Sequence, residues 1–456
     1  MSVDTVSLTG WGRTAPTTAV RFRPRTYEEA AAVVRGRGPR GALARGLGRA
    51  PGDAAQNAGG SVLDMTGLDR IRALDEVAGT VRCDAGVSLE RLLRVLPPRG
   101  WFPPVVPGTG RITVGGAIGS DVHGLDHPAT GSLARHVVAL DLLTADGEVR
   151  TVTPGTALFD ATAGGLGLTG VILSATLRLK RVTTGLIAVS TERARDLDDL
   201  LARFTAGGDR LPYASAWVDL SARGRAAGRG VLTRGEHAPL SVLPAHARRT
   251  AARRQREPWA AALSALPGGL LGPAAAALVD EVRYRSAPRA RSGELRTPAA
   301  FFHPLDATPA ADRLRRLSAL ATGRAGLVRY RFTVGYGQEE ALGRVVRRIA
   351  ARRCPALRAG LQRFGAASPG WLSFPAPGWA LTVELPAALP GLGRFLDGLD
   401  AEVAAAGGRV CLAQDSRMRP ETAAAMYPRL PEFRELRAEL DPTGAFRSDL
   451  ARRLDL

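Results

Sequence analysis

The chain has 456 residues, of which 45% are hydrophobic, and a formal net charge of +19. This length allows two domains with well-buried cores, and the composition excludes a disordered chain. The basic residues are scattered arginines apart from one lysine, Lys180. Because no helix-turn-helix, zinc finger or aromatic-rich RNA-binding motif accompanies them, we predict no nucleic-acid role and expect an acidic membrane surface to be the better partner for this charge.

Several other classes are also disfavoured. Cys83, Cys354 and Cys411 are too widely spaced for a disulfide framework or a metal site. No apolar run reaches the length of a membrane span, and the first residues lack the layout of a secretory signal. We therefore expect a cytoplasmic protein, at most peripheral on the inner membrane face. A GxxxxGK[ST] motif is missing, which excludes a P-loop, and Lys180 is expected to be solvated.

The N-terminal part alternates short helices and strands. Thr26 precedes two acidic residues, which is typical of a helix start. Amphipathic spacing predicts a second helix over 88–96 that ends before Pro97. The Asp146-Gly147 pair predicts a hairpin between two apolar strands.

Three glycine-rich stretches lie at 44–54, 107–124 and 164–172. Glycine lets the backbone approach a ligand, and consecutive amide groups in such loops bind anions. The first stretch, ARGLGRAPGDA, is not a Rossmann fingerprint, because Pro51 prevents a helix from starting directly after it. We predict one extended ligand whose phosphates are held by backbone amides and by Arg45 or Arg49.

The pattern changes after residue 184. Residues 190–204 are predicted to form a helix. Residues 236–297 are basic and rich in proline and alanine, which predicts a flexible insertion; the alternative is an amphipathic surface that meets a membrane. Further strands are predicted at 213–220, 327–334 and 379–386, and further helices at 341–353, 392–408 and before Asp441.

Long motifs make the chain recognisable. The GWGR stretch at 10–13, the three glycine-rich loops and later motifs such as QRFG, LSFPAPGW and AQDSR occur in this order. In these the chain resembles the FAD-dependent oxidases of the vanillyl-alcohol-oxidase superfamily, and within it the decaprenylphosphoryl-β-D-ribose 2′-oxidase family. The likeness covers nearly the whole chain except 236–297.

This resemblance implies an α+β, two-domain fold of the vanillyl-alcohol-oxidase type. A PCMH-type FAD-binding domain would comprise 1–183. A substrate (cap) domain built on an antiparallel sheet would comprise 184–407, with the flexible basic insertion inside it. The C-terminal segment 408–456 would return to the FAD-binding domain.

The resemblance also implies non-covalent FAD. Covalent relatives carry a histidine in the first glycine loop, where this chain has Arg49 and no histidine. The residues implied to bind the cofactor are Ala44, Arg45, Gly46, Leu47, Gly48, Arg49, Ala50, Pro51, Gly52, Asp53, Ala54, Gly108, Thr113, Val114, Gly115, Gly116, His123, Gly124, Leu125, Asp126, Ile172 and Cys411.

Oxidation of a secondary alcohol removes a hydride from carbon, which FAD accepts, and a proton from oxygen. His123 is the first candidate to handle the proton. The catalytic candidates are His123, Gln414, Tyr330, Arg331 and Glu384, and the substrate-pocket candidates are Trp217, Gln362, Phe364 and Thr382. Strand alternation turns Tyr330 away from Arg331, so only one of the two can line the pocket; the family pattern favours Arg331. His303 is expected to stabilise the fold.

The chain departs from the family pattern around the pocket. Gln414 and Leu125 stand where the family has lysines, Cys411 where it has tyrosine, Arg331 where it has glutamine, and Thr382 where it has cysteine. These departures leave three alternatives for the function.

The first alternative is oxidation of a polyprenyl-phosphate-linked pentose. This would be the first half of an epimerisation in cell-wall arabinan precursor synthesis, completed by an NAD-dependent short-chain reductase. The second is an aldonolactone- or alditol-type oxidase that uses a soluble sugar or polyol and O₂. The third is a non-catalytic basic protein that binds nucleic acid or a membrane.

Overall fold

A computed structural model describes residues 1–206, 211–242, 273–303 and 326–456. Within these ranges the strands are β1 Ser2–Leu8, β2 Thr17–Arg23, β3 Ala42–Arg45, β4 Ser61–Asp64, β5 Ile71–Asp75, β6 Thr80–Asp84, β7 Trp101–Phe102, β8 Val137–Leu143, β9 Val149–Val152, β10 Val171–Arg178, β11 Lys180–Arg181, β12 Ile187–Ala194, β13 Tyr213–Val218, β14 Gly230–His237, β15 Ala290–Arg296, β16 Leu327–Val334, β17 Arg358–Phe364, β18 Gly378–Pro386 and β19 Arg409–Val410.

The helices of the same ranges are α1 Tyr27–Arg35, α2 Leu89–Val95, α3 Val114–Gly119, α4 His127–Thr130, α5 Ala157–Thr162, α6 Leu197–Ala206, α7 Pro273–Ser286, α8 Pro298–Phe302, α9 Glu339–Ala351, α10 Leu392–Ala405, α11 Pro420–Met426, α12 Leu430–Leu440 and α13 Asp449–Leu454. None of these helices combines the length and apolarity that a bilayer span requires.

The N-terminal part contains two main sheets. The first has the order β1-β2-β4-β3, with parallel pairing of β4 to both β2 and β3. The second is antiparallel, with the order β5-β6-β10-β8-β9. The predicted helix start is confirmed, because Thr26 Oγ1 accepts a hydrogen bond from the Glu29 N–H at 3.2 Å. The predicted hairpin also forms, between β8 and β9.

The second half of the chain forms an eight-stranded sheet, here called the large sheet. Its order is β15-β12-β14-β13-β17-β18-β16-β19, and its pairings are antiparallel. One face packs against α6, α9 and α10 through buried residues such as Leu200, Val345 and Leu396. The prediction of an α+β fold with an antiparallel sheet is therefore confirmed.

The predicted helix over 190–204 is partly wrong. Residues up to Ala194 belong to β12, which pairs with β14 and β15, and the helix begins only at Leu197. The reason is a period-2 pattern in which Ile187, Val189 and Thr191 are buried, and this pattern favours a strand.

The segment 236–297 is only partly described. Residues 243–272 lie outside the described residues, whereas α7 and β15 occupy most of 273–296. In α7, Asp280 accepts a hydrogen bond from Ser221 Oγ at 3.1 Å. Burial and the neighbouring Asp219 raise the pKa of Asp280 to about 7. Glu281 of the same helix pairs with Arg229, so α7 is attached to the large sheet by polar contacts.

The C-terminal segment contacts the N-terminal sheets. Phe446 forms a parallel bridge with Ala42, and the Ala58 N–H donates to Asp449 Oδ1 at 2.9 Å. The chain end also reaches the first glycine loop, because Arg453 pairs with Asp53 at 2.8 Å. The C-terminal residues therefore pack beside the loop that carries half of the predicted cofactor-binding residues.

Candidate active site

The first glycine loop, 44–54, is braced by its neighbours. The Trp11 N–H donates to the Ala50 carbonyl at 2.8 Å, and the Gly12 N–H donates to the Pro51 carbonyl at 3.0 Å. A Cβ on Gly52 would overlap the carbonyl oxygen of Asp415, so no side chain fits there. The loop is thus fixed between the N-terminal residues and the C-terminal segment.

The charged residues of this loop divide into two groups. Arg45 donates to the carbonyls of Ala55 and Thr9, both at 2.7 Å, and Asp53 receives two bonds from Arg453. These residues brace the loop. Arg49 instead faces a cavity of about 440 Å³. That cavity is lined by Leu47, Arg49, Thr66, Asp69, Gly86, Val87, Ser88, Glu90, Arg91 and Arg111.

The second glycine stretch touches the first. Thr113 Oγ1 accepts from the Gly116 N–H at 3.2 Å and starts α3. A Cβ on Gly46 would overlap Thr113 Oγ1, and one on Gly115 would lie 2.8 Å from the Cβ of Ala85. Gly108 faces open space, whereas Val114 and Ile172 belong to the apolar core behind the loops. The glycines therefore allow two loops to meet at one place.

His123 lies near the end of the second stretch and is buried. Its ring meets the Phe364 ring edge-on, with centroids 4.6 Å apart. Neither ring nitrogen has a hydrogen-bond partner among the described residues. Burial, with smaller effects of Arg331 and His127, lowers the pKa of His123 well below its ordinary value, so the ring is neutral at physiological pH.

The residues after His123 connect to the large sheet. The Leu125 carbonyl accepts from the Ala214 N–H at 3.1 Å. Asp126 accepts from Thr130 and lies 3.8 Å from Lys180 Nζ. The expectation that Lys180 is merely solvated is wrong, because its Nζ donates to Tyr213 Oη at 3.0 Å and lies 4.8 Å from the centroid of that ring. Gly124 packs against Asp126 Oδ1.

The face of the large sheet opposite the helices carries most pocket candidates; we call it the open face. Trp217 pairs with Gly360, Gly360 with Thr382, and Thr382 with Arg331. Paired residues of antiparallel strands share a face, so these four form a row across the sheet. Gly360 contributes no side chain to the row. Gln362 lies two positions from Gly360 on the same face.

Arg331 is the central cation of the open face. It donates to Gln362 Oε1 at 2.6 Å, and its Cζ lies 5.7 and 5.5 Å from the ring centroids of Phe364 and Phe374. Its Nε is buried without a hydrogen-bond partner among the described residues. Burial lowers the pKa of Arg331 to about 10, so the guanidinium remains charged at neutral pH. His123 and Arg331 therefore both lie close to the ring of Phe364.

Two catalytic candidates have other surroundings. Tyr330 points to the helix-packed face, where it contacts Phe332 and lies below Arg417, so the structure removes it from the pocket. The cause is the alternation of side chains along β16. Glu384 lies on the open face but accepts from Arg329 Nε at 3.0 Å, which makes it an ion-pair partner rather than a free base.

The remaining candidates lie at the edges of the site. The Cys411 N–H donates to the Arg331 carbonyl at 2.9 Å, and burial raises the pKa of the Cys411 thiol to about 11. Gln414 has a buried Oε1 without a partner among the described residues. Trp217 packs under Arg283 at 4.5 Å. His303 Nε2 lies 2.9 Å from the Pro107 carbonyl, in keeping with a role in the fold.

Sequence reasoning missed two residues of this site. Phe374 packs with Phe364, Ala380 and Cys411 in one small apolar cluster. Its motif, LSFPAPGW, was recognised without a role for the phenylalanine. Gly360 was missed because it leaves a gap in the row of side chains between Trp217 and Thr382. That position follows from the register of neighbouring strands, which the sequence of one strand does not show.

The site suits an extended ligand that carries negative charge. Arg49, Arg91 and Arg111 line one cavity; Asp69, which pairs with Arg91, and Glu90 line it too, so its net positive charge is small. The buried nitrogens of His123 and the Oε1 of Gln414 offer hydrogen bonds elsewhere. Buried polar atoms normally find partners, so unpartnered ones at a pocket indicate a bound molecule. FAD has this shape and charge, and the residues present fit it.

Comparisons with known proteins agree with this chemistry. Residues 18–153 match the family of FAD binding domains. The chain is 38% identical over 459 residues to decaprenylphosphoryl-β-D-ribose oxidase of Mycolicibacterium smegmatis, covering 99% of this chain and 98% of that protein. An uncharacterized Streptomyces coelicolor protein is 53% identical over 380 residues, 81% of this chain and 100% of its own. An alditol oxidase from Streptomyces is 32% identical over 176 residues, 38% of this chain and 42% of that enzyme.

Proposed function

Since the chain belongs to the decaprenylphosphoryl-β-D-ribose oxidase family of FAD-dependent oxidoreductases that act on CH–OH groups, we propose that it oxidises a secondary hydroxyl of a polyprenyl-phosphate-linked pentose. One observation carries this choice of site. Neutral, buried His123 and charged Arg331 both contact Phe364, so a proton acceptor and a cation converge on one enclosed space.

The proposed architecture has two domains. Residues 1–183 and 408–456 form the FAD-binding domain, and 184–407 form the substrate domain around the large sheet. The contact between Arg453 and Asp53 supports the return of the C-terminal segment. Substrate would then bind between the glycine loops and the open face, where His123 meets Phe364.

Bound FAD supplies the hydride acceptor of the reaction. The glycine loops and Arg49 hold its diphosphate through backbone amides and positive charge. His123 is neutral, which leaves a ring nitrogen available to accept the hydroxyl proton, and its lowered pKa makes it a weaker base than an exposed histidine. Phe364 and Phe374 enclose this space and exclude water, and the Gln414 side chain offers a hydrogen bond without charge.

We propose that FAD is held without a covalent bond. The first glycine loop has Arg49 and no histidine, and the three cysteines are buried. Acid denaturation of purified holoenzyme followed by filtration should release all yellow colour into the filtrate. Flavin that stays with the precipitated protein would contradict this.

A second candidate is an alditol- or aldonolactone-type oxidase of a soluble sugar with O₂, favoured by the partial likeness to alditol oxidase. Anaerobic addition of prenyl-phosphoryl ribose to the holoenzyme should bleach the flavin, and xylitol should not. Bleaching by xylitol alone, followed by rapid reoxidation in air, would instead favour the second candidate.

The first candidate function predicts two partners, a reductase and a membrane surface. A keto-sugar product requires a reductase to complete an epimerisation, and an NAD-dependent short-chain enzyme is the expected class. A lipid-linked substrate also requires contact with a membrane surface, for which the net positive charge is suited. We place the protein in the cytoplasm, peripheral on the inner membrane face.

A further inference from the structure

Arg331 is one of a few enclosed arginines of the described chain that lack a carboxylate partner, and others of this kind, Arg45 and Arg437, donate to backbone carbonyls instead. Arg229, Arg234, Arg417 and Arg453 each have a carboxylate within 2.8 Å. Arg331 has no carboxylate within ion-pair distance in the ranges that the structure describes; its bonded partner is the neutral amide of Gln362. An enclosed charge without a counter-ion is costly, and an anion that binds beside it offsets this cost.

The surroundings of Arg331 allow a ligand to reach it. Thr382, Gly360 and Gln362 neighbour it on the open face and are each partly exposed. Gly360 leaves room beside the row, because a Cβ there would meet only a carbonyl oxygen at 3.7 Å. The Cζ of Arg331 lies 5.7 and 5.5 Å from the ring centroids of Phe364 and Phe374, which are themselves 5.7 Å apart, so both rings lie on one side of the guanidinium and leave its other side uncovered by them.

We infer that Arg331, held by Gln362, binds an anionic group of the substrate, a phosphate or a carboxylate, close to the carbon that is oxidised. This inference rests on the proposed function, because the anion is taken to belong to the molecule that is oxidised beside His123. The planar fork of a guanidinium matches both anions in a bidentate way.

The cofactor is a less suitable source of the anion. The oxidised isoalloxazine ring is uncharged, so in the state that binds substrate it offers Arg331 no counter-ion. The diphosphate is expected beside Arg49, in the cavity lined by residues of the N-terminal part of the chain. A substrate anion supplies the missing negative charge when substrate binds to the oxidised enzyme. This binding step is where the enzyme discriminates among sugars.

The test measures binding to the oxidised, FAD-loaded full chain without turnover. Inorganic phosphate, D-gluconate and xylitol are titrated separately, and binding is followed by the flavin difference spectrum and by calorimetry. We expect at least one anion to bind about tenfold tighter than xylitol. The tighter of the two anions identifies the source as phosphate or carboxylate. Xylitol binding as tightly as both anions would overturn the inference.

Three variants at the site and one control variant sharpen this test. Arg331→Gln should weaken anion binding about tenfold to a hundredfold, and Arg331→Lys should recover part of it. Gln362→Glu keeps the guanidinium but supplies an internal carboxylate, so it should abolish anion binding. Arg344→Gln, an exposed control that pairs with Glu402, removes the same charge and should change nothing.

Anion affinity that is unchanged in both Arg331→Gln and Gln362→Glu would overturn the inference. So would a lowered flavin reduction potential in Arg331→Gln with unaltered anion binding, because the charge would then serve the reduced cofactor. Failure of every sugar to bleach the flavin, with anion binding that depends on Arg331, would contradict the proposed function and leave the anion site in place.

Discussion

The two faces of the large sheet have opposite chemistry, although their residues alternate along the same strands. On the helix-packed face, Phe332, Leu361 and Leu381 are fully buried among apolar side chains of α6, α9 and α10. On the open face, Arg331 and Thr382 remain partly exposed. One face therefore carries the stability of this half of the molecule, and the other is free to carry binding and chemistry.

The same comparison explains which candidates belong to the site. Tyr330 and Arg331 are neighbours in sequence, yet one packs into the core and the other meets Phe364 near His123. A substitution on the helix-packed face should change stability and leave selectivity intact. A substitution on the open face should change selectivity and leave stability intact. Single substitutions on the two faces can therefore separate stability from substrate recognition.

Replacing His123 by glutamine should lower the anaerobic rate of flavin reduction by substrate about 10²- to 10⁴-fold, because the proton acceptor is lost. FAD content should stay unchanged. The pKa of His123 lies well below its ordinary value, so the wild-type rate should show no break from protonation of this ring as pH rises from about 6.5.

His127→Gln is the matched control for His123, since His127 lies 6.1 Å away by ring centroids and accepts a hydrogen bond from the Gly365 N–H. It should lower the rate by less than about tenfold. Equal rates for the His123→Gln variant and the wild type would remove His123 from the mechanism.

Leu381 and Thr382 provide a neighbouring pair on opposite faces. Leu381→Ala should lower the free energy of unfolding by about 2–5 kcal/mol, because it leaves a cavity in the core. Thr382→Ala should change it by no more than about 0.5 kcal/mol, and should alter the KM for substrate. Denaturant unfolding and steady-state kinetics measure both. A large stability loss in Thr382→Ala would break the comparison.

The edge of the open face near Trp217 is covered by α7, and its attachment should depend on pH. The pKa of Asp280 is raised in the folded protein to about 7, so protonation favours the fold. This contribution to stability is present at low pH and disappears as pH rises from about 4 through about 7. Asp280→Asn should therefore be more stable than wild type at pH 8, by on the order of 1 kcal/mol.

At pH 5 the Asp280→Asn variant and the wild type should differ much less. Glu439→Gln, at an exposed position on α12, removes one acidic charge elsewhere and should show no such pH dependence. Thermal unfolding at the two pH values decides the matter, and an equal stabilisation at both would contradict the assignment to Asp280.

The sequence allowed much of this to be predicted. The cap of Thr26, the hairpin at Asp146-Gly147 and the strand over 327–334 follow from local patterns, and all three are confirmed. The alternation along β16 also predicted that Tyr330 and Arg331 could not share a face. Choosing between them needed the family pattern, because the alternation separates an apolar face from a face with Arg329 and Arg331 but does not show which of the two lines the pocket.

Other features depend on contacts between distant parts of the chain. Lys180 donates a hydrogen bond to Tyr213, and Asp53 forms an ion pair with Arg453, 400 residues further along the chain. Neither partner can be identified from local spacing. Residues 190–194 of β12 were predicted as helix because Glu192 and Arg193 conceal the period-2 burial that appears once β14 and β15 flank the strand.

The most direct test of the central claim compares two neighbours. Flavin reduction by prenyl-phosphoryl ribose is followed anaerobically in Arg331→Gln and Tyr330→Phe holoenzymes, with thermal unfolding as the check on folding. We expect Arg331→Gln to weaken the apparent substrate affinity about tenfold or more, and Tyr330→Phe to keep the wild-type value within about twofold. The opposite result, a substrate defect in Tyr330→Phe and none in Arg331→Gln, would contradict the assignment of the open face as the site of reaction.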